Sequence, residues 1–279
     1  MIVVTGATGQ LGRLVVAGLV EQGVSVVAGA RNTAAAADLG VDVRLADYDR
    51  PETLDDAVRG ADKVLLVSGS EPGKRVPQHT AVVDAAKRAG VRHLVYTSAP
   101  FADTTELVLA PEHKATEEAI RAAGIPFTFL RNGWYHENYL DTIRTAVETG
   151  EIVGAAGDGR VASAARADFA AAAVAVLTGD GHENAIYELT GDTAWSFPEF
   201  AAEIGDVAGK PVTYRDLSPA AFQQHLVELG TPVEVAGFVA ALEQNIAAGT
   251  LGHTPGDLAK LIGRPTTPVR AAINQVLAG

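Results

Sequence analysis

Apolar runs alternate with amphipathic segments through the first half of the chain. The runs are rich in Val, Ile and Leu, and they are too short for helices, so they are typical of strands buried on both faces. The predicted strands are Ile2–Thr5, Val24–Ala30, Val41–Ala46, Lys63–Ser68, Leu94–Ser98 and Phe127–Arg131. The predicted helices are Leu11–Gln22, Thr53–Arg59, Val76–Ala89 and His113–Ala123. This alternation predicts an α/β protein with a doubly wound, Rossmann-like parallel sheet.

The alternation loosens after Arg131. We expect residues 1–131 to form a nucleotide-binding domain, and strands within about 152–190 to return partly to its sheet. Residues 191–279 are then expected to form a smaller, mainly helical lobe on the substrate side. Asp168 is predicted to be the N-cap of the helix that ends at Leu177.

The first predicted strand leads directly into Gly6-x-x-Gly9-x-x-Gly12, and a helix follows. In such a turn the first glycine permits the sharp bend and the second lets the backbone approach a pyrophosphate. The third allows helix and strand to pack closely, and the phosphates meet free N–H groups at the helix N-terminus. The spacing differs from G-x-G-x-x-G, so the motif is a variant of the dinucleotide fingerprint. A structural glycine-rich turn is the alternative.

The ends of the next strands bear on which cofactor is bound. NAD-binding folds usually place an acidic residue after the second strand, whereas Arg31 stands there and matches a 2′-phosphate. NADP(H) is therefore predicted, with an exposed loop arginine as the alternative. Asp47 and Tyr48 follow the third strand. They are predicted either to lie beside the adenine or to form a turn before Pro51. The fourth strand is followed by Ser68, Gly69 and Ser70. They are predicted either to contact the ribose and nicotinamide or to form an ordinary turn.

The tyrosine–lysine pair of alcohol-reducing short-chain dehydrogenases, Tyr-x-x-x-Lys, is absent from the sequence, since none of the six tyrosines has Lys four positions later. The protein therefore either binds the cofactor without catalysis or transfers hydride without a dedicated acid, as quinone reduction allows. His113 at a predicted helix start is a candidate for orienting a carboxamide or for weak acid catalysis, and a solvated helix-end histidine is the alternative. The seven histidines show no H-x-H or H-x-x-x-H metal-ligand spacing.

Composition narrows the range of partners. A net charge of −12 argues against nucleic-acid binding, and the absence of cysteine excludes disulfides and Cys-ligated metals and fits a reducing cytosol. We find no apolar run long enough for membrane insertion and no signal peptide, so a cytoplasmic protein is expected. The oligomeric state is left open, with a homodimer as one option.

Several motifs together resemble one known family. They are Gly6-Ala-Thr-Gly-Gln-Leu-Gly12, Arg31-Asn32, Ala46-Asp-Tyr48, Gln78-His79, Arg131-Asn-Gly-Trp-Tyr-His-Glu-Asn138, residues 154–168 and Tyr187-Glu-Leu-Thr-Gly-Asp192. In order and spacing the chain resembles the type-2 NAD(P)H:quinone oxidoreductases, which are NmrA-like atypical short-chain dehydrogenases. The likeness extends from Met1 to about Thr267.

The resemblance implies an enzyme that passes hydride from NADPH to a quinone without flavin. It implies that the pyrophosphate is held by Gly6, Thr8, Gly9, Gln10 and Leu11, and the 2′-phosphate by Arg31. Ser68 to Ser70, with Tyr135 and Asn138, would lie near the nicotinamide, and Phe101, Trp134 and Tyr135 would offer flat walls for a quinone. His113 and Tyr135 are the catalytic candidates, although many wider relatives have Lys where His113 stands. A non-catalytic NADP(H) sensor that regulates a protein partner is the alternative function.

Overall fold

A parallel sheet forms the centre of the computed structural model, which describes residues 1–278. The strands are β1 Ile2–Val4, β2 Val26–Ala30, β3 Asp42–Leu45, β4 Lys63–Leu66, β5 His93–Ser98, β6 Phe127–Asn132, β7 Glu151–Gly154, β8 Arg160–Val161, β9 Ala185–Leu189, β10 Trp195–Ser196 and β11 Thr213–Asp216. The helices are α1 Gln10–Glu21, α2 Leu54–Ala57, α3 Arg75–Arg88, α4 Ala110–Ala123, α5 Leu140–Thr149, α6 Arg166–Thr178, α7 Phe197–Ala208, α8 Pro219–Glu228, α9 Val233–Ala247, α10 Asp257–Ile262 and α11 Val269–Ala278.

Seven of these strands form the main sheet in the order β3-β2-β1-β4-β5-β6-β9, and every neighbouring pair is parallel. The doubly wound sheet predicted from the alternation is therefore confirmed. Strand order reverses between β1 and β4, and in open parallel sheets the crevice at such a reversal is where ligands bind. The three residues of β1 are fully buried or nearly so, which accounts for their unbroken apolar sequence.

Helices cover both faces of the sheet. One core includes Leu19 of α1 and Phe169 of α6, and the other includes Tyr96 of β5 and Phe129 of β6. Helices α1 and α6 pack closely at Gly18, which has no side chain. A Cβ added there would lie 3.0 Å from Val174 Cγ2. Both helices run opposite to the strands, and Gly18 and Val174 each lie about two turns into their helix. The N-termini of α1 and α6 are therefore level, at the edge of the sheet where the crevice opens.

A smaller lobe has its own core, built around residues such as Ile143, Trp195 and Phe200. It contains two short sheets, in which β7 pairs with β11 and β8 with β10. Helix α6 and strand β9 return to the main sheet, while β7 and β8 stay in the lobe. The domain limits at 131 and 191 stay predictions.

Glycines end several of the helices, whereas the predicted start of α6 is wrong. Gly23, Gly40, Gly90 and Gly124 all have positive φ, as the glycines between helices and strands predict. Asp168 is not the N-cap of α6, since Ala165 takes that position. Its carboxylate is instead fully buried, and it accepts from the Thr267 N–H at 2.7 Å and from Arg264 at 2.6 Å. Within residues 1–278, no helix has both the length and the apolar composition needed to span a bilayer.

Candidate functional site

A cleft of about 630 Å³ opens at the carboxyl ends of the central strands, against the smaller lobe. The structure brings the predicted cofactor-binding residues and the two catalytic candidates to its lining: Gly6, Thr8, Gly9, Gln10, Leu11, Arg31, Asp47, Tyr48, Ser68, Gly69, Ser70, His113, Tyr135 and Asn138. These side chains come from six different connections in the chain. Their roles in binding stay predictions, but their meeting in one cleft is a property of the fold.

The glycine-rich turn is held by backbone contacts that exclude side chains. Gly6 has a φ of 61°, and the Gly9 N–H donates to its carbonyl oxygen at 2.9 Å. A Cβ on Gly12 would overlap that same oxygen and lie 2.9 Å from Ala7 Cα. The first turn of α1 carries no acidic residue and no side-chain cap. Its unpaired N–H groups therefore suit an anion.

Arg31 lies at the end of β2 and is 70% exposed. The Glu71 carboxylate is 3.6 Å from its guanidinium, and that same carboxylate is 2.8 Å from Lys74 Nζ. The exposed guanidinium is thus available to an anion entering the cleft.

The residues after β3 form a firm wall of the cleft. The Tyr48 hydroxyl lies 2.5 Å from Thr5 Oγ1 and 2.9 Å from the Val67 carbonyl oxygen, which ties the ends of β1 and β4 together. Burial raises the pKa of Tyr48. Asp47 accepts from the Asp49 N–H at 3.1 Å, so its side chain does form the turn considered as an alternative, while also lining the cleft.

The loop after β4 is anchored to α3. The Ser68 N–H donates to Thr97 Oγ1 at 2.8 Å, and the Gly69 N–H donates to His79 Nε2 at 2.9 Å. Arg75 Nε donates to the Gly69 carbonyl oxygen at 2.7 Å. These contacts fix the backbone of Ser68 and Gly69 against β5 and α3.

His113 is buried in the structure, so the alternative of a solvated helix-end histidine is wrong. Its Nδ1 lies 2.8 Å from the Tyr96 hydroxyl, which is itself fully buried. Burial, with smaller contributions from Arg75 and His79, lowers the pKa of His113 to about 3. The imidazole is therefore uncharged at neutral pH, which favours a hydrogen-bonding role over proton donation.

Tyr135 lies beneath a cation on the other side of the cleft. The Arg166 guanidinium lies 4.7 Å from the centre of the Tyr135 ring, and the Phe169 ring centre lies 5.0 Å from it. Burial raises the pKa of Tyr135. The Glu137 carboxylate accepts from the Arg166 backbone N–H at 3.0 Å, but among residues 1–278 no carboxylate forms an ion pair with the Arg166 guanidinium, which lines the cleft.

Asn132 also lines this part of the cleft. Its Nδ2 donates weakly to the Tyr135 hydroxyl at 3.4 Å, whereas its Oδ1 is buried without a hydrogen-bond partner among the described residues. A buried acceptor of this kind is costly unless a ligand satisfies it. Sequence reasoning missed Asn132 and Arg166 as site residues. Their positions, at the end of a strand and at a helix start, were the available signals.

The aromatic walls are only partly as predicted. Trp134 and Tyr135 line the cleft together with Leu107 and Leu109. Phe101 does not line it, because its ring packs against His253 with the ring centres 4.9 Å apart. The φ of Phe101 is 48°, and its N–H donates to Glu188 at 2.9 Å.

A buried ion cluster lies directly behind the cleft. Arg131 is 4% exposed, and its guanidinium contacts three carboxylates: Glu117 at 2.7 Å, Asp103 at 2.8 Å and Glu188 at 2.9 Å. Burial opposes the charge of Arg131, but hydrogen bonds with Glu117 and Glu188 hold its pKa above the ordinary value. Burial raises the pKa of Glu188 despite this contact. Ser98, which lines the cleft, donates to Glu117 at 2.7 Å.

The buried histidines predict a loss of stability in acid. Burial lowers the pKa of His79 to about 4 and that of His113 to about 3, against about 6.5 in the unfolded chain. Below pH 6.5 the unfolded chain therefore binds protons that the folded protein does not, so the free energy of unfolding falls as pH falls. We expect a loss of about 4 kcal/mol for the two groups between pH 7 and pH 5.

Denaturant unfolding of the wild type and of His113→Gln at each pH measures this loss, and the difference between the two cancels the contribution of other titrating groups. Between pH 7 and pH 5 the variant should lose about 2 kcal/mol less stability than the wild type. Parallel curves for the two proteins would contradict the prediction.

The sheet, the glycine-rich turn at the point of strand reversal and the cleft above it define a Rossmann-type dinucleotide-binding protein. The chain belongs to the NmrA-like family, whose model matches residues 1–252. It is 45% identical to quinone oxidoreductase 2 of Escherichia coli K12 across 99% of this chain and 98% of that protein. It is 33% identical to an NAD(P)H azoreductase of Xenophilus azovorans, across 95% of this chain and 94% of that one.

Solved structures give the same picture. The crystal structure of the NADPH-dependent quinone oxidoreductase from E. coli in complex with NADPH matches with a TM-score of 0.96 and 46% identity, over 99% of this chain and 100% of that chain. Triphenylmethane reductase from Citrobacter sp., in complex with NADP(H), matches with a TM-score of 0.94 and 41% identity, over 99% and 100% of the two chains. The family predicted from the motifs is confirmed.

Proposed function

We propose that this protein is an NADPH-dependent quinone reductase that transfers hydride directly to its substrate, without flavin. The observation that carries the proposal is a dinucleotide cleft in which burial lowers the pKa of His113 to about 3 and raises the pKa of Tyr135, so that both are poor proton donors at neutral pH. The near full-length similarity to E. coli quinone oxidoreductase 2 supports catalysis over the sensor alternative.

The residues present fit NADPH. The uncapped N-terminus of α1, reached through Gly9, suits the pyrophosphate, and Arg31 suits the 2′-phosphate. The unpartnered Oδ1 of Asn132 suits an amide N–H of the carboxamide. NADPH, when bound, supplies the hydride. We also place Arg166 beside the pyrophosphate, because the N-termini of α1 and α6 are level and both line the cleft.

The substrate side suits an acceptor that needs no acid from the protein. Trp134, Leu107 and Leu109 provide apolar walls for a flat ring. A quinone that has accepted hydride is a hydroquinone anion, which is a much weaker base than an alkoxide and takes its proton from water. A simple ketone would need a stronger proton donor than the buried Tyr135 phenol or the neutral His113 imidazole. The partner is thus a small molecule, and a homodimer stays a prediction.

Steady-state oxidation of NADPH with a series of quinones tests the function. We expect turnover with purified protein that contains no flavin, and little or no turnover with simple aldehydes or ketones. Tight binding of NADPH without turnover of any quinone would support the sensor alternative instead.

Arg31→Asp is expected to weaken NADPH binding by about 10- to 100-fold while NADH binding changes less than about threefold, because only NADPH carries the phosphate that the guanidinium would contact. Fluorescence titration of both cofactors measures the two dissociation constants. An equal loss for both would show that Arg31 does not read the 2′-phosphate.

Arg166→Leu provides the matched contrast. The pyrophosphate is common to both cofactors, so this variant should weaken NADPH and NADH binding alike, by about tenfold. A loss confined to NADPH would place Arg166 at the 2′-phosphate, and unchanged binding of both would remove it from the cofactor site.

A further inference from the structure

A chain of buried hydrogen bonds connects the loop after β4 to His113. Its members are Gly69, His79, Thr116, Tyr96 and His113, and the last four are at most 6% exposed. It starts at a backbone N–H, which can only donate. This fixed donor determines which nitrogen of His79 carries the proton, and therefore the direction of the hydrogen bond from His79 to Thr116.

The direction follows step by step. Gly69 N–H donates to His79 Nε2 at 2.9 Å, so that nitrogen carries no proton. The proton of neutral His79 is therefore on Nδ1, which donates to Thr116 Oγ1 at 3.0 Å. The Thr116 hydroxyl in turn donates to the Glu112 carbonyl oxygen at 2.8 Å. If His79 were charged, its Nε2–H would face the Gly69 N–H, and two donors would then be in contact.

The shortest hydrogen bond of the Tyr96 hydroxyl is the one to His113. Its hydroxyl lies 3.5 Å from His79 Nδ1, which already carries a proton, and 2.8 Å from His113 Nδ1. Thr116 Oγ1 already accepts from His79 Nδ1, so we assign the Tyr96 hydroxyl proton to its shorter contact with His113 Nδ1, which puts the proton of neutral His113 on Nε2. Within residues 1–278, Nε2 has no hydrogen-bond partner, although His113 lines the cleft.

The position of His113 favours the substrate over the cofactor as its partner. It lies about one helical turn beyond Leu109, which lines the cleft and packs on the core of the smaller lobe. Asn132, on the other side of the cleft, already provides the unpartnered acceptor suited to a carboxamide.

We infer that His113 is a neutral hydrogen-bond donor to a carbonyl oxygen of the substrate, and that Tyr96 and His79 are positioning residues that fix its proton on Nε2. The inference rests on the proposed function. As the quinone accepts a hydride, two electrons and one proton, negative charge develops on its oxygen, and the donor stabilises that charge. Water then protonates the hydroquinone anion, so His113 gives up no proton and needs no recharging.

The kinetic test uses His113→Leu, which removes the donor, and His113→Gln, which restores an N–H donor. We expect kcat for quinone reduction to fall about tenfold or more in the Leu variant, and less than about threefold in the Gln variant. The dissociation constant for NADPH should stay within about twofold of the wild-type value in both. An unchanged kcat in His113→Leu, or a loss explained by weaker NADPH binding, would overturn the inference.

His93→Leu is the matched control. His93 is also buried, and its Nε2 lies 2.8 Å from a threonine hydroxyl, that of Thr128, but it stands at the amino end of β5, away from the cleft. This variant should keep the wild-type kcat once folding has been verified by denaturant unfolding. A similar loss of kcat in His93→Leu would mean that the effect at His113 is structural.

An independent readout is the imidazole tautomer, observed by ¹⁵N NMR on labelled protein and assigned with the His113→Gln variant. We expect His113 to carry its proton on Nε2 and His79 on Nδ1, and we expect Tyr96→Phe to release His113 from this single tautomer. A proton on Nδ1 of His113 would overturn the inference even if quinones are reduced. Absence of quinone turnover with the predicted tautomers would count against the proposed function instead.

Discussion

Arg131→Met is expected to lower the free energy of unfolding by about 3–5 kcal/mol, because it leaves buried carboxylates without their counter-charge. Glu117 is 4% exposed and Glu188 is 15% exposed, and each is within 2.9 Å of the Arg131 guanidinium. Methionine fills much of the same volume, so the loss reports on charge and hydrogen bonding more than on packing. Denaturant unfolding at neutral pH measures it.

The same variant should also affect the cleft. Ser98 donates to Glu117, and the Phe101 N–H donates to Glu188, so both partners would reorganise when the guanidinium is lost. Quinone turnover is therefore expected to fall together with stability.

Arg270→Met is the control for Arg131→Met. Arg270 is 46% exposed and pairs with Asp206 at 2.6 Å on the surface, where an ion pair contributes at most about 1 kcal/mol. Equal losses of unfolding free energy in the two variants would show that the buried cluster stabilises the fold no more than a surface ion pair does. Combining Arg131→Met with Glu117→Met should recover part of the stability, since one buried charge is then removed with its partner.

Gly12→Ala is expected to weaken NADPH binding by more than about 100-fold. The new Cβ would overlap the Gly6 carbonyl oxygen and crowd Ala7 Cα, and both are backbone atoms that cannot rotate away. Relieving the overlap requires the turn and the start of α1 to separate, at about 1–3 kcal/mol of overpacking and with displacement of the N–H groups that face the phosphates. Titration with NADPH and thermal unfolding measure the two effects.

Gly237→Ala provides the comparison for Gly12→Ala. Gly237 lies within α9, and its added Cβ would meet only the Gln223 side-chain amide, at 3.3 Å. Because alanine favours a helix over glycine by about 1 kcal/mol, stability should be unchanged or slightly higher and NADPH binding unaffected. Normal NADPH binding by Gly12→Ala would mean that NADPH still binds when α1 and the glycine-rich turn are further apart.

The local pattern of the sequence was enough for the architecture. Strands such as Val26–Ala30 are continuous apolar runs, and helices such as α3 occupy the segments between them, so the main sheet and its helices were predictable from local residues. The positions of the glycine-rich turn and of Arg31 at the cleft were predictable for the same reason, since a turn and a strand end depend on nearby residues. The misassigned Asp168 shows the limit, because its carboxylate binds a segment about a hundred residues later in the chain.

The tertiary structure alone decided which polar groups meet. Gly69 and His79 lie between β4 and β5, Tyr96 lies in β5 and His113 in α4, yet they meet in one chain of hydrogen bonds. The pairing of Arg131 with Glu117 and Glu188, and the unpartnered Asn132 and Arg166, likewise depend on which elements lie side by side. Periodicity along a chain reports whether a residue is buried, whereas the partner of a buried polar group is set by neighbours across the sheet. For this protein the sequence therefore determined the fold, the family and the cofactor class, and the structure determined which polar groups face one another in and behind the cleft.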